Sequence, residues 1–489
     1  MSREKDLAKN TIIITIGNIC TKLITFFLLP LYTGILSTAE YGTVDLLNTL
    51  VSLLLPIITF QIEQAIFREL IEKRKDMQGM KEVISTGIIT VAIQCIIFFI
   101  LFLAVAPFIK NEYKTYLVVN VIVHIIMSLL LQIARGVGDN KQYAIASFLS
   151  ATSTILFNVL FLVVYKFRVE GMLIGTFLGQ VVGIIYTFFS LKLFRYITIK
   201  KFDKKIVIKL LKYSIPLIPN AIAWWVFNSS DRFIVSLVLG LSSTGLLSVS
   251  YKFSNIYIML YNMFNMSWTE SISLNINDKD IQEYFNKMFN IVLKFFTSMG
   301  IGLISVIPVV WPIMINSKFI GGYGLVPILV IATIFNVIVG LISVIYVAKK
   351  NTKAIASTSI VSAIINIVVH LVLIKFVGLY AAAISTFVSF FVMSIYRIYD
   401  INKRYFKINI DKKFALESLI ITFIITTIYY INNKYAVIVG IMISILYAYF
   451  SNKNSINSIL NIVKKKENKN ETIWLFDSRF RFVWCYSCQ

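Results

Sequence analysis

Apolar runs of about twenty residues, each long enough to cross a hydrocarbon core of roughly 30 Å, recur along most of the chain. By that criterion about fourteen spans are predicted. Their cores lie at 11–34, 43–64, 83–109, 115–134, 143–165, 171–194, 214–240, 245–267, 289–315, 324–347, 354–374, 379–397, 414–431 and 435–450. Polar residues interrupt some runs at intervals of three and four, which is the spacing of one helical face. In span 1 these are Thr11, Thr15, Asn18, Lys22 and Thr25. Span 2 carries Asp45, Asn48, Ser52, Thr59 and Glu63, and span 7 carries Asn220, Asn228, Asp231 and Arg232. Span 8 has Ser248, Lys252, Asn255, Asn262 and Thr269, with Met259 and Met266 in register. Spans 3 and 9 have mostly apolar cores. The pattern predicts an all-α polytopic membrane protein whose spans 1, 2, 7 and 8 enclose a polar, partly cationic cavity.

Composition places the chain in the same class. Of 489 residues, 58% are hydrophobic and only 15% charged, against about 25% charged in soluble proteins. The first apolar run is too long for a signal-peptide core and lacks a small-residue cleavage site. The net charge of +23 would suit nucleic acid if it formed one patch, but it is sorted by side. With the N-terminus in the cytoplasm, the tails and even-to-odd loops hold about 36 Lys and Arg and the opposite loops about 7, a positive-inside pattern with both termini cytoplasmic. Anionic headgroups in a bacterial cytoplasmic membrane are the expected partners of this charge, and nucleic acid is not.

A weak internal repeat runs at an offset of roughly 205–210 residues. "ILSTAEYGTVD" (Ile35–Asp45) lies over "GLSSTGLLSVS" (Gly240–Ser250), "APFIKN" (Ala106–Asn111) over "WPIMIN" (Trp311–Asn316), and "AIAS" recurs at Ala144 and Ala354. Around Asn158 and Asn366 the segments "ILFNVLFLV" and "IINIVVHLV" correspond. Six spans per half make a parallel repeat. The expected organisation is an N-terminal six-helix lobe (1–194), a basic cytoplasmic linker (195–213), a C-terminal six-helix lobe (214–400), helices 13 and 14 (401–452) and a cytoplasmic tail (453–489).

Four cations, Lys22, Arg232, Lys252 and Lys294, fall more than two residues inside the ends of their spans. Each costs roughly 2.5–3.5 kcal/mol at mid-membrane on insertion scales. Lys294 is near a cytoplasmic end and can snorkel. Lys22 lies about 16 Å into its helix, the deepest of the four. Arg232 either serves the cavity or neutralises an acid on another helix. Asn and Thr faces can also join helix to helix. Candidate cavity residues are Asn18, Lys22, Asp45, Asn48, Asn228, Asp231, Arg232, Lys252, Asn255 and Asn262. Candidates for ion coupling are Asp231, Glu63 and His124. For His124 a satisfied buried histidine is the simpler reading than a proton relay, and Glu63 with Arg68 can form a surface pair.

Other motifs add little. "CYSC" (Cys485–Cys488) has no second ligand pair for a zinc site, so neither metal nor cofactor is expected. The D-x-D of Asp278–Asp280 precedes an amphipathic helix, where Asp as a helix cap outweighs metal–nucleotide binding. No outward loop is long enough for a catalytic site, so an enzyme such as a glycosyltransferase or polymerase is not expected. A cation-drug antiporter would want an acidic, aromatic cavity.

The opening "KNTIIITIGNICTKLITFFLLPLYTGILSTAEYGTVDLL", the "SSDRFIVSLVLGLSSTGLLSVSYKF" of spans 7 and 8, and the paired asparagine segments resemble polysaccharide exporters. These are the Wzx-type O-antigen and capsule repeat-unit flippases of the multidrug/oligosaccharidyl-lipid/polysaccharide exporter superfamily. The resemblance covers roughly residues 5–455. It implies fourteen helices in two lobes with a central cavity, working by alternating access. It also implies the cargo: an oligosaccharide on undecaprenyl pyrophosphate, moved to the outer leaflet, with Lys22, Arg232 and Lys252 meeting the pyrophosphate. Helices 13 and 14 are expected to offer a groove to the polyprenyl tail. A polymerase and glycosyltransferases of the same pathway are the expected protein partners. A peptidoglycan or teichoic-type lipid precursor is the alternative cargo.

Overall fold

A computed structural model describes residues 24–108, 112–198 and 201–467. Among them there is no strand, and twelve helices are long and apolar enough to cross a membrane. These twelve coincide with predicted spans 2–7 and 9–14. Span 8 forms the longest helix, Gly240–Asn275, which is 36 residues and more polar. Span 1 lies mostly outside the described residues, which enter it at Ile24. The all-α membrane architecture read from the hydropathy pattern is therefore the observed one. The chain forms two compact units that divide between Ser248 and Val249.

In the first unit, α1 (Leu29–Ile35) leads into α2 (Thr38–Thr59). Ser37 starts α2 with a capping box, accepting from Glu40 N–H while Glu40 accepts from the Ser37 amide, which satisfies two amides that a helix end leaves bare. The sequence predicts one continuous span 2. Instead the helix stops at Thr59 and restarts as α3 (Ile62–Glu72), because Phe60 and Gln61 both adopt positive φ. Two successive left-handed residues other than glycine cost at least about 1 kcal/mol each. Next come α4 (Met77–Val105), α5 (Lys114–Val137), α6 (Asn140–Val159) and α7 (Val169–Ser190).

The second half of α4 exposes Ile93, Ile96, Ile97, Phe99, Ile100 and Leu101, the surface of a helix that meets lipid. Helices α6 and α7 approach through small residues: a Cβ on Gly179 would stand 2.0 Å from Thr154 Oγ1. Backbone approach of this kind drives helix pairing in lipid, where burying apolar surface gains little. The predicted basic linker is ordered around α8 (Lys204–Ser214). Ser85 on α4 donates to Tyr196 O and accepts from Thr198 N–H, and Lys209 reaches Glu69 on α3 at 2.6 Å. The unit ends with α9 (Ile218–Val238) and the start of α10 (Gly240–Asn275).

The second unit holds the rest of α10, then α11 (Ile281–Met314), α12 (Val326–Ala348), α13 (Thr352–Val377), α14 (Tyr380–Arg404), α15 (Lys412–Ile431) and α16 (Lys434–Glu467). Aromatic rings fill the space between α10 and α11: Phe285, Phe289, Tyr257 and Trp268 are buried, and Trp268 Nε1 donates to Leu341 O. Asp280 occupies the N-cap of α11, but its side chain makes no capping bond, so the expected cap role is not realised. Helix α16 packs on α11 through polar contacts, Ser305 with Ser444 at 2.8 Å and Asn452 with Ser298 at 3.2 Å.

The connection from α14 to α15 is held by a ladder of side-chain amides. Asn286 donates to Lys407 O and accepts from Asn409 N–H; Asn290, one turn on, donates to Asn409 O and accepts from Asp411 N–H. Lys294, one turn further, closes the ladder on the Asp411 carboxylate at 2.7 Å. Three residues at helical spacing thus meet every second residue of an extended segment. Lys294, read from sequence as a snorkelling cation, ends on this carboxylate.

Candidate functional site

The capping box fixes where α2 begins, and the helical turn then places Tyr41, Asp45, Asn48 and Thr49 within roughly its first three turns. Asp45 meets three neighbours. Arg232 Nε on α9 lies 2.9 Å from Asp45 Oδ2, and Ser248 Oγ on α10 donates to the same carboxylate at 2.6 Å. The Tyr41 ring is buried beside them. Arg232 also donates to Asn228 O, one turn back on its own helix. Trp225 Nε1 donates to Thr49 O, a second tie between α9 and α2. Side-chain exposure is 12% for Arg232 and 19% for Asp45, so the pair is mostly desolvated and each partner depends on the other. Of the two sequence readings of Arg232, the neutralised acid on another helix is the contact observed.

The same corner brings the repeat mates together. Thr38 and Ser242 share a hydrogen bond at 2.7 Å, and the α2 and α10 backbones touch at two glycines. A Cβ on Gly42 would lie 2.0 Å from Leu241 O, and one on Gly245 would lie 1.9 Å from Thr38 O. Only hydrogen fits at either position.

Other predicted cavity residues separate by exposure. In the first unit Asn48 and Asn228 are exposed and Asp231 is buried. In the second unit Asn255 and Asn262 are exposed and Lys252 is half-buried, with no ion pair among the described residues. Four asparagines exposed within spans contrast with the isoleucines that α4 exposes. Lys22 and Asn18 lie outside the described residues, as do Cys485 and Cys488. His124 is half-buried on α5, its Nδ1 bonded to Asn120 O at 2.8 Å. Glu63 is buried at 2% exposure at the start of α3, while Arg68 pairs with Glu72.

Two polar features escaped the sequence reading. Gln94 on α4 donates to Thr59 O at the end of α2, a lone glutamine in a run judged apolar. Arg397 on α14 is buried among the hydroxyls of Thr358, Ser359 and Ser343, while Asp400 takes Tyr346 and Arg404. It stands at the edge of span 12, where it counts as a loop charge. No group of three or more His, Cys, Asp or Glu able to hold a metal occurs among the described residues.

Comparison with known proteins places this arrangement in a wider setting. A solved lipid II flippase, MurJ in an inward closed conformation, matches with a TM-score of 0.69 at 17% identity, over 92% of this chain and 100% of that one. An inward-facing multidrug resistance MATE transporter of the MOP superfamily matches with a TM-score of 0.64 at 12% identity, over 80% and 95%. An outward-facing MATE transporter gives 0.58 at 14% identity, over 83% and 96%. No curated protein matches the chain by sequence. Identities this low establish the fold alone. The family described as polysaccharide biosynthesis protein matches residues 7–269, more than half of the sequence. The chain is thus a multi-pass membrane protein with the fold of these exporters and flippases, and it belongs to the polysaccharide biosynthesis protein family.

Proposed function

We propose that the protein is a flippase for an undecaprenyl-pyrophosphate-linked oligosaccharide repeat unit, moving it from the cytoplasmic to the outer leaflet of a bacterial membrane by alternating access. The fold shared with a flippase and with MATE transporters favours a transporter over an enzyme. The observation that carries the reading is the exposure of asparagines inside spans of each unit: Asn48 and Asn228 in the first, where Asp45 holds Arg232, and Asn255 and Asn262 in the second. A polyprenyl tail can stay in lipid, but sugar hydroxyls and a pyrophosphate need partners throughout the crossing. Asn48, Asn228, Asn255 and Asn262 offer amides to hydroxyls. Lys22, Lys252 and Arg232 offer charge-assisted bonds to the pyrophosphate. Arg232 faces Asp45 through Nε, so a phosphate that draws on the same guanidinium competes with the α2–α9 contact. Asp231 and His124 belong to the coupling machinery in this reading, and glycosyltransferases and a polymerase supply and consume the cargo.

The test is surface polysaccharide in a strain lacking its repeat-unit flippase, normalised to membrane-inserted protein. Lys22→Gln, Lys252→Gln and Arg232→Gln should each lower export at least tenfold, and Lys22→Arg should retain part of it. Full export by all three Gln variants overturns the cationic path. The fold shared with a lipid II flippase motivates a second reading, a peptidoglycan precursor as cargo. Rescue of a strain depleted of its lipid II flippase, with no rescue of polysaccharide, selects that reading instead.

A further inference from the structure

The break in span 2 gathers chemistry that cavity lining does not use. Ending α2 at Thr59, within the predicted core of span 2, leaves its last carbonyls without helical partners, and starting α3 at Ile62 leaves its first amides bare. A bare backbone group costs several kcal/mol in lipid. Part of the gap is filled locally. Gln94 donates to Thr59 O at 3.1 Å, and Gln61 N–H donates to Thr59 Oγ1 at 3.1 Å. Two oxygens are then left over. Glu63 Oε2 and Gln94 Oε1 are both enclosed, and among the described residues no donor reaches either. Glu63 lies nine residues before the end of α3, about 14 Å along the helix.

Capping alone does not account for this arrangement. A cap needs one oxygen, and a glutamine would supply it without a buried charge. The one proton of the Thr59 hydroxyl goes to Leu55 O at 2.9 Å. Among the described residues, the other charges on α3 have partners elsewhere. Arg68 pairs with Glu72, Glu69 with Lys209 and Lys73, and Arg74 with the carbonyls of Arg135 and Gly136. On α5, Arg135 covers the Phe67 ring and His124 bonds its own helix; on α4, Cys95 is a buried thiol. A carboxylate buried in a membrane without a cation is costly. Broken helices whose carbonyl ends face a carboxylate are how membrane transporters build sites for small cations.

We infer that the α2–α3 break is a binding site for one monovalent cation, a proton or a sodium ion, taken by Glu63 with Thr59 and Gln94 as the other oxygen donors. This deepens the flippase reading by naming where the driving ion is held. When the ion is a proton, it forms an O–H bond at Glu63 Oε2 and no other bond is made or broken. When it is sodium, the carboxylate, the Thr59 hydroxyl and the Gln94 carbonyl supply oxygens.

The experiment uses the full chain reconstituted in lipid and infrared difference spectra of carboxyl groups. One arm steps pH at fixed sodium, and the other steps sodium at fixed pH. The wild type should show a carboxyl signal in one arm that Glu63→Gln abolishes. Gln94→Ala should keep the signal but shift its midpoint several-fold, which guards against a Glu63 variant that merely misfolds. A signal in the pH arm alone assigns a proton, and one in the sodium arm assigns sodium. Spectra identical in wild type and Glu63→Gln, or silent in both arms, overturn the site. Because this readout needs no cargo, a failed glycan-export assay beside an intact Glu63 signal would count against the proposed cargo and leave the ion site standing.

Discussion

At the scale of single residues, the Asp45–Arg232 pair makes the sharpest prediction. Removing one partner leaves the other charge mostly desolvated. Because both retain some exposure, Asp45→Asn should cost about 2 kcal/mol, below the roughly 3–5 of a fully buried pair. Arg232→Gln alone should cost similarly, and the double variant should recover much of the loss. Thermal unfolding in detergent checks this; additive losses would show that the two side chains do not depend on each other. The charged residues themselves were legible, because a cation inside an apolar run is conspicuous in any sequence. Their pairing was not. Asp45 and Arg232 lie on different spans, and helical spacing relates residues only within one helix. Glu63 was visible as a candidate, but Gln94, which bonds Thr59 O at the same helix break, was hidden, since one uncharged amide in a long apolar run sets up no periodicity.

At the scale of elements, most helices could be read from the sequence because lipid demands long apolar runs with internally satisfied backbones. The break in span 2 could not. Phe60 and Gln61 carry none of the glycine or proline signals of a helix end, yet both adopt positive φ. The amide ladder was equally hidden, since Asn286, Asn290 and Lys294 look like an ordinary polar face. Its last rung predicts a pH dependence. The hydrogen bond from Lys294, helped by the Phe414 amide, holds the Asp411 carboxyl below its usual range. A group depressed in the folded state stabilises above its unfolded value and loses that contribution as pH falls through the folded one. The wild type should therefore keep the rung from neutral pH down to strongly acidic conditions, whereas Lys294→Met should lose stability at a higher pH. Melting midpoints measured against pH distinguish these; superimposable curves would mean the rung contributes nothing.

At the scale of the whole molecule, loop charge predicts which side each connection faces. Reporter fusions at Tyr41, Lys201, Gly322 and Asn454 should read outside, inside, outside and inside, and an outside Asn454 would remove the model of fourteen spans with cytoplasmic ends. The number of helices followed from hydropathy alone, whereas the tie between α15–α16 and the preceding helices followed from nothing periodic. That tie has a consequence for how the chain tolerates change. The ladder reads peptide groups, not side chains, and it reads every second one. Lys407→Ala and Asn409→Ala should thus keep the wild-type melting midpoint, while proline at 409 should lower it by removing an amide. Deleting Ile408 is different in kind. It reverses the parity of the residues before Asn409, so that Phe406 stands where Lys407 stood and turns its ring away from Phe285, which it now meets edge-on at 5.4 Å. That deletion should cost more than Ile408→Ala. The joint that fastens the last two helices is in this sense a counting device, indifferent to spelling and intolerant of a dropped letter.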